Sequence, residues 1–218
     1  MEEEQIYVII IIVFIIGIII YYNSYFKNKK IKAYCINLDH KPENYSKIKE
    51  EWSDILDIER FSALGSCTES HYKLYEIIKE NNEFPVCIIE DDVYKRDDFF
   101  NYWDDIIDIQ NLDCDYLTLE PMYIVTNKRE NDKFISLHKH NATGFIIYNK
   151  SFFNKLNNSD KKGIIDVEIT HNPKFIKYTP SQLIVRQYVD KISTTAHYNT
   201  KSYELDYDET ENRLNEVK

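Results

Sequence analysis

Seventeen consecutive residues near the N-terminus, Ile6 to Tyr22 (IYVIIIIVFIIGIIIYY), carry no charge, and this run limits the chain's options more than any other feature. As a helix it spans about 25 Å, and continued to Phe26 it reaches the roughly 30 Å of a hydrocarbon core. Tyr21, Tyr22 and Tyr25 fall where an interfacial aromatic belt belongs. A cleaved signal peptide would need a basic start and a small-residue cleavage site, and neither MEEEQ nor YYNSYF supplies one. A buried core helix of β-branched Ile without a polar face would be unusual. The reading is therefore a transmembrane anchor at 6–26, with an acidic tail at 1–5 and a basic tether at 27–30. Lys27, Lys29, Lys30 and Lys32 follow the anchor while Glu2, Glu3 and Glu4 precede it, so the positive-inside bias puts the C-terminal domain on the cytoplasmic side. Sequons at Asn44, Asn141, Asn149 and Asn157 would suit a lumenal domain, but a chain this rich in Asn produces them by chance.

The remainder of the 218 residues suits one domain. A net charge of −10 argues against a nucleic-acid binder, which needs a basic face to neutralise phosphates. Part of that charge lies in the terminal segments, and the stretch after His197 holds six acidic against three basic residues. The domain between is only mildly acidic, compatible with a divalent cation helping to hold an anionic substrate. None of the four cysteines (Cys35, Cys67, Cys87, Cys114) forms a C-x-x-C pair, which disfavours a zinc knuckle or a redox motif. They read as plain buried thiols.

Apolar periodicity alternates between strand and helix. Strands are expected at Ile31–Leu38, Ile58–Ala63, Phe84–Glu90, Asp115–Leu119, Phe134–Leu137 and Gly144–Tyr148. Helices are expected at Pro42–Ile55, Ser70–Asn81, Asp97–Ile109, Lys150–Leu156 and Asp166–His171, with a frayed acidic tail at 197–218. Such alternation predicts a layered α/β domain over 31–196 with a mostly parallel sheet, whose ligands gather at the carboxyl ends of strands. No Gly-rich phosphate loop or dinucleotide fingerprint is present.

Two polar clusters end predicted strands: Asn37-Leu38-Asp39 and Glu90-Asp91-Asp92. Three adjacent carboxylates repel one another, and a hard cation such as Mn²⁺ or Mg²⁺ relieves that repulsion through oxygen ligands. With side chains alternating, Glu90 and Asp92 share a face and are the candidate metal ligands. The plainer alternative, loop acids ahead of a helix, stays open on spacing alone. A metal-dependent phosphoesterase would want clustered histidines, and only His138-x-His140 comes close.

Several words in order carry a resemblance: Cys35-Ile36-Asn37-Leu38-Asp39, Arg60-Phe61-Ser62-Ala63, Gly65-Ser66-Cys67-Thr68-Glu69-Ser70-His71 and Ile88-Ile89-Glu90-Asp91-Asp92-Val93. Ala142-Thr143-Gly144-Phe145, Tyr148, Ile165-Asp166-Val167, Ile184-Val185-Arg186-Gln187 and Ile192-Ser193 continue it. Over about residues 31–195 the chain resembles glycosyltransferase family 25, the lipopolysaccharide-type and procollagen-type sugar transferases. It departs from that pattern at His40-Lys41, where arginines are common, and at Ser66, where a second glycine is often found.

The resemblance implies a GT-A-like, Rossmann-type nucleotide-sugar fold with Glu90-Asp91-Asp92 in place of the usual D-x-D metal motif. It implies a nucleotide site at Asn37, Asp39, Ser70, His71 and Asp91, a metal (Mn²⁺, with Mg²⁺ the alternative) on Glu90 and Asp92, and a C-terminal ligand at His197. Asp166, then Glu168, is the expected base. The implied activity, within glycan biosynthesis, moves a hexosyl group, galactose or glucose, from a UDP-sugar to a hydroxyl on a glycan, glycolipid or protein. The alternative is a non-catalytic relative serving as a membrane-bound binding or adhesion module.

Overall fold

The computed structural model describes residues 7, 11–18, 30–157, 163–188 and 200–217, with only the backbone described at 110, 166 and 200–205. The chain divides into two compact units, Met1–Lys30 and Ile31–Lys218. In the first, residues 11–18 are helical and exposed. The rest of the expected 6–26 anchor, Tyr7 apart, lies outside the described residues, and among the described residues no helix is long and apolar enough to cross a membrane.

The second unit opens with β1 (Ile31–Asn37), α1 (Pro42–Trp52), β2 (Leu56–Ser62), α2 (Cys67–Asn81), β3 (Val86–Glu90) and β4 (Val93–Lys95). Next come α3 (Phe100–Ile107), β5 (Tyr116–Thr118), β6 (Met122–Arg129), β7 (Phe134–Asn141) and β8 (Phe145–Tyr148). It closes with α4 (Lys150–Lys155), α5 (Ile165–Glu168), β9 (Lys177–Pro180), β10 (Val185–Gln187) and α6 (Thr200–Glu216). Eight strands form one sheet in the order β2-β1-β3-β8-β5-β9-β7-β6, and β10 pairs with β4 in a small second sheet. β1 lies parallel to β2 and β3, and β5 parallel to β9. β7 and β8 run against their neighbours. The sheet is therefore largely parallel in strand direction, interrupted by two reversed strands that periodicity alone cannot reveal.

Strand alternation divides the core into two layers. Ala33, Cys35, Cys87, Ile89, Phe145 and Ile147 face one side, packed on Ile48 and Trp52 of α1 and on Phe99, Trp103 and Ile106 around α3. Tyr34, Ile36, Val86, Ile88, Ile146 and Tyr148 face the other, against Leu74, Tyr75 and Ile78 of α2 and against Phe152 and Phe153 of α4. Each fully buried Ile or Phe here contributes roughly 1.5–3 kcal/mol over its exposed state. Cys35, Cys87 and Cys114 are buried free thiols, as expected, while Cys67 is half-buried.

Two elements differ from expectation in ways that matter for the site. Helix α2 begins at Cys67, three residues earlier than its apolar stripe suggests. Ser66 is the N-cap and its Oγ accepts from the Glu69 amide at 3.1 Å, the backbone-facing half of the S-x-x-E capping box. The frayed tail expected at 197–218 is instead helix α6 from Thr200, with Tyr207 and Leu214 packed on Met122, Ile124, Ile135 and Leu137.

Candidate active site

Chain order turns back at β1: β2 pairs on one side of it and β3 on the other, so the carboxyl ends of β1 and β3 flank a topological switch point. Asn37 and Glu90 are the last residues of those strands. Alternation then sends successive acids in different directions. Glu90 continues the Val86–Ile88 face toward α2, and Asp91 turns toward α1.

On the α1 side, buried Asn37 is a junction. Its Nδ2 donates to Asp91 Oδ2 at 2.6 Å and to the Lys41 carbonyl at 2.8 Å, while its Oδ1 accepts from Arg60 Nε at 2.7 Å. Asn44 of α1 adds a donation to Asp91 Oδ2 at 3.3 Å. Arg60 Nη2 reaches Asp39 Oδ1 at 2.8 Å, and Ser62 Oγ donates to the same oxygen at 2.8 Å. These two hydrogen bonds, Ser62 first and Arg60 second, hold the exposed Asp39 carboxyl below its usual range. Sequence reasoning found Asn37, Asp39 and Asp91 but assigned no role to Arg60 or Asn44. Asn44 is polar on the buried face of an otherwise amphipathic helix, and that was its only signal.

On the α2 side, Glu90 Oε1 accepts from Thr143 Oγ1 at 3.0 Å and from Cys67 Sγ at 3.4 Å, with His71 Nε2 at 3.5 Å. Burial by itself would raise the Glu90 carboxyl. The hydrogen bond and charge of His71, then Thr143 and Cys67, outweigh it and hold the group below the ordinary glutamate value. His71 is fully buried, and its Nδ1 has no hydrogen-bond partner among the described residues. One ligand atom each from Cys67, His71 and Glu90 lie within 4.8 Å of one another, a spacing compatible with a divalent metal. That donor set mixes sulfur, nitrogen and oxygen, unlike the all-oxygen shell that Mn²⁺ and Mg²⁺ prefer. Among the described residues Asp92 joins no such three-ligand group, and its carbonyl accepts from the Tyr188 amide at 2.6 Å.

The remaining expected residues lie apart from this junction or outside the description. The Ser70 hydroxyl donates to the Ser66 carbonyl at 2.9 Å and accepts from the Leu64 amide at 2.8 Å, so it shapes the turn into α2. Helix α5, which carries Asp166 and Glu168, is held beside the start of α2: the Ile165 amide donates to Thr68 Oγ1 at 3.3 Å and Tyr72 Oη to the Gly163 carbonyl at 3.0 Å. The Glu168 carboxylate folds back over Gly163. The Asp166 side chain and all of His197 lie outside the described residues.

One acid at this edge has no counterpart in the sequence reading. Glu120 follows β5, is fully buried, and accepts at Oε1 from Tyr207 of α6. Burial, and then the Glu120 charge, push the Tyr207 phenol far above its ordinary value. A Cβ on Gly144 would lie 2.7 Å from Glu120 Oε2, so glycine is what lets this carboxylate approach. The Gly144 carbonyl accepts from the Glu90 amide at 2.8 Å, which joins Glu120 to the same edge.

Fold and edge together define a class: an α/β domain with polar side chains converging on the switch point of its sheet. Residues 31–206 match the family model described as "Glycosyltransferase family 25 (LPS biosynthesis protein)", from the first residue of β1 into α6. The chain belongs to glycosyltransferase family 25, and membership carries glycosyl transfer, with a sugar donor and an acceptor, in general terms. No curated protein matches it. Among solved structures it is similar to "Crystal Structure of A197 from STIV", at 11% identity and a TM-score of 0.45, covering 78% of this chain and 100% of that one. A likeness that distant carries no argument about function.

Proposed function

We propose that this protein is a membrane-anchored glycosyltransferase that moves a hexosyl group, galactose or glucose, from a UDP-sugar to an acceptor hydroxyl on a glycan, glycolipid or protein. The observation that supports it best is the hydrogen bond from Asn37 to Asp91 at the β1–β3 switch point, where Glu90 ends the neighbouring strand, in a chain of this family. In this reading Asn37, Asp39, Asp91, Ser70 and His71 serve the nucleotide side, directly or by shaping the loops around it. Glu90 and Asp92 would hold a divalent cation, with His197 as the C-terminal candidate. When bound, that cation would neutralise charge on the departing diphosphate. Oxygen ligands alone would favour Mn²⁺ or Mg²⁺, whereas Cys67 and His71 beside Glu90 favour a softer ion.

The acceptor hydroxyl attacks the anomeric carbon as the bond to the diphosphate breaks, and its proton passes to a carboxylate, Asp166 first and Glu168 second. Four lysines after the apolar run support a cytoplasmic position for the domain. The test is binding and turnover of UDP-glucose and UDP-galactose by the purified full-length chain, with and without divalent cations. Cation-dependent binding and slow donor hydrolysis are expected. A chain that binds neither sugar nucleotide under any of these conditions is a non-catalytic relative.

A further inference from the structure

We propose that Cys67, His71 and Glu90 form a site for a thiophilic divalent cation of the Zn²⁺ class, with its fourth position open. The site stands on these three donors and does not rest on sugar transfer. Starting α2 at Cys67 makes Cys67 and His71 an i,i+4 pair, and such residues share a helix face. The alternation of β3 brings Glu90 to that face.

Zinc–ligand distances of about 2.3 Å to sulfur and 2.0–2.2 Å to nitrogen or oxygen put tetrahedral ligands roughly 3.3–3.6 Å apart. Two of the three edges already have that length: Sγ to Oε1 is 3.4 Å and Nε2 to Oε1 is 3.5 Å. A small rotation of side chains closes the third, which does not exceed 4.8 Å. Thr143 Oγ1, 3.0 Å from Glu90 Oε1 and 3.8 Å from Cys67 Sγ, is the outer hydrogen-bonding group that orients ligands in such sites.

The chemistry of the donors selects the ion. Thiolate and imidazole suit Zn²⁺ and Co²⁺, and disfavour Mg²⁺ and Mn²⁺. Cys67 is also set apart from the other three cysteines, which are buried among apolar side chains. Cys67 is half-buried, and its sulfur faces a carboxylate, a hydroxyl and an imidazole. On binding, the ion takes the place of the Cys67 thiol proton, which leaves to solvent, and three protein ligands leave one position for water or a substrate oxygen.

The experiment is titration of the metal-free full-length chain with Co²⁺. A thiolate-to-cobalt charge-transfer band and the intense visible bands of a four-coordinate site should appear at one equivalent, and Zn²⁺ should erase them. Cys67→Ser should abolish the charge-transfer band, while His71→Asn and Glu90→Gln should weaken affinity at least about tenfold. The inference is overturned if no band forms, or if the band survives Cys67→Ser.

Alkylation of the wild-type protein, read by mass spectrometry, needs no folded cysteine variant. Zn²⁺ should protect Cys67 where the same concentration of Mg²⁺ does not, and equal labelling with and without Zn²⁺ also overturns the inference. Neither measurement contains a sugar nucleotide, so failure here is distinct from failure to bind UDP-sugars.

Discussion

Lowering the pH from 7 to 5 should loosen the strand that brings Thr143 to Glu90, and His140 is the reason. His140 is fully buried near the end of β7, where its Nδ1 lies 2.9 Å from the Asn141 carbonyl and its Nε2 3.0 Å from Tyr116 Oη. Since a carbonyl can only accept, Nδ1 carries the proton and Nε2 accepts from the tyrosine, which describes a neutral ring. Burial lowers its pKa from 6.5 to about 3, with the nearby charges of Lys177 and His171 acting in the same direction.

The folded pKa lies below the unfolded one, so between those values the unfolded chain binds more protons. Stability is intact above about pH 6.5 and falls progressively as pH drops toward 3. At pH 5 a shift of this size costs about 2 kcal/mol relative to pH 7. For a chain of this length that is roughly 4–8 °C of Tm.

Urea unfolding followed by the fluorescence of Trp52 and Trp103, both buried, reads it directly. Wild type should lose about 2 kcal/mol more than His140→Gln between the two pH values. Equal losses within about 0.5 kcal/mol would refute the argument from a buried neutral histidine. The two residues after His140, Asn141 and Ala142, lead directly to Thr143, and Ala142 holds a left-handed φ of 69°. Donor binding should therefore weaken over the same pH range.

Replacing Asp92 with Ala should abolish transfer while leaving the thermal midpoint almost unchanged; surviving activity would make the acid structural. Tyr207→Phe removes a donor from the buried Glu120 carboxylate and should cost about 1–3 kcal/mol, with faster amide exchange in α6. An unchanged midpoint and exchange pattern would show that this contact contributes nothing to docking the helix. Glu90, held ionised by its partners, contributes stability that is present above the ordinary glutamate pKa and lost as pH falls through the lower folded value. Glu90→Gln should flatten that acid limb, and an unaltered limb would contradict the assignment. Deleting residues 1–26 should leave a soluble, active domain, whereas an insoluble product would count against a simple tether.

Ile6 to Tyr22 constrains the reading by composition alone, because uncharged apolar length is a property of sequence that no distant contact alters. The same holds for β1, α1, β3 and β8, whose periodicity located them within a few residues, and for Asn37 and Glu90-Asp91-Asp92 at strand ends. Short strands β4, β6, β9 and β10 escaped because three to eight residues of mixed polarity carry little period; their place comes from ladders with distant partners.

The site divides the same way. That acids would end β3 was legible; that Glu90 would meet Cys67, His71 and Thr143 while Asp91 met Asn37 and Asn44 was not. A strand's alternation shows which side chains part company, but not what waits on either face. The helix start at Cys67 follows from the local Ser66–Glu69 cap. The β7–β8 connection that delivers Thr143 to Glu90 and the helix α6 that brings Tyr207 to Glu120 were instead decided by packing, since those contacts join residues 53 and 87 positions apart.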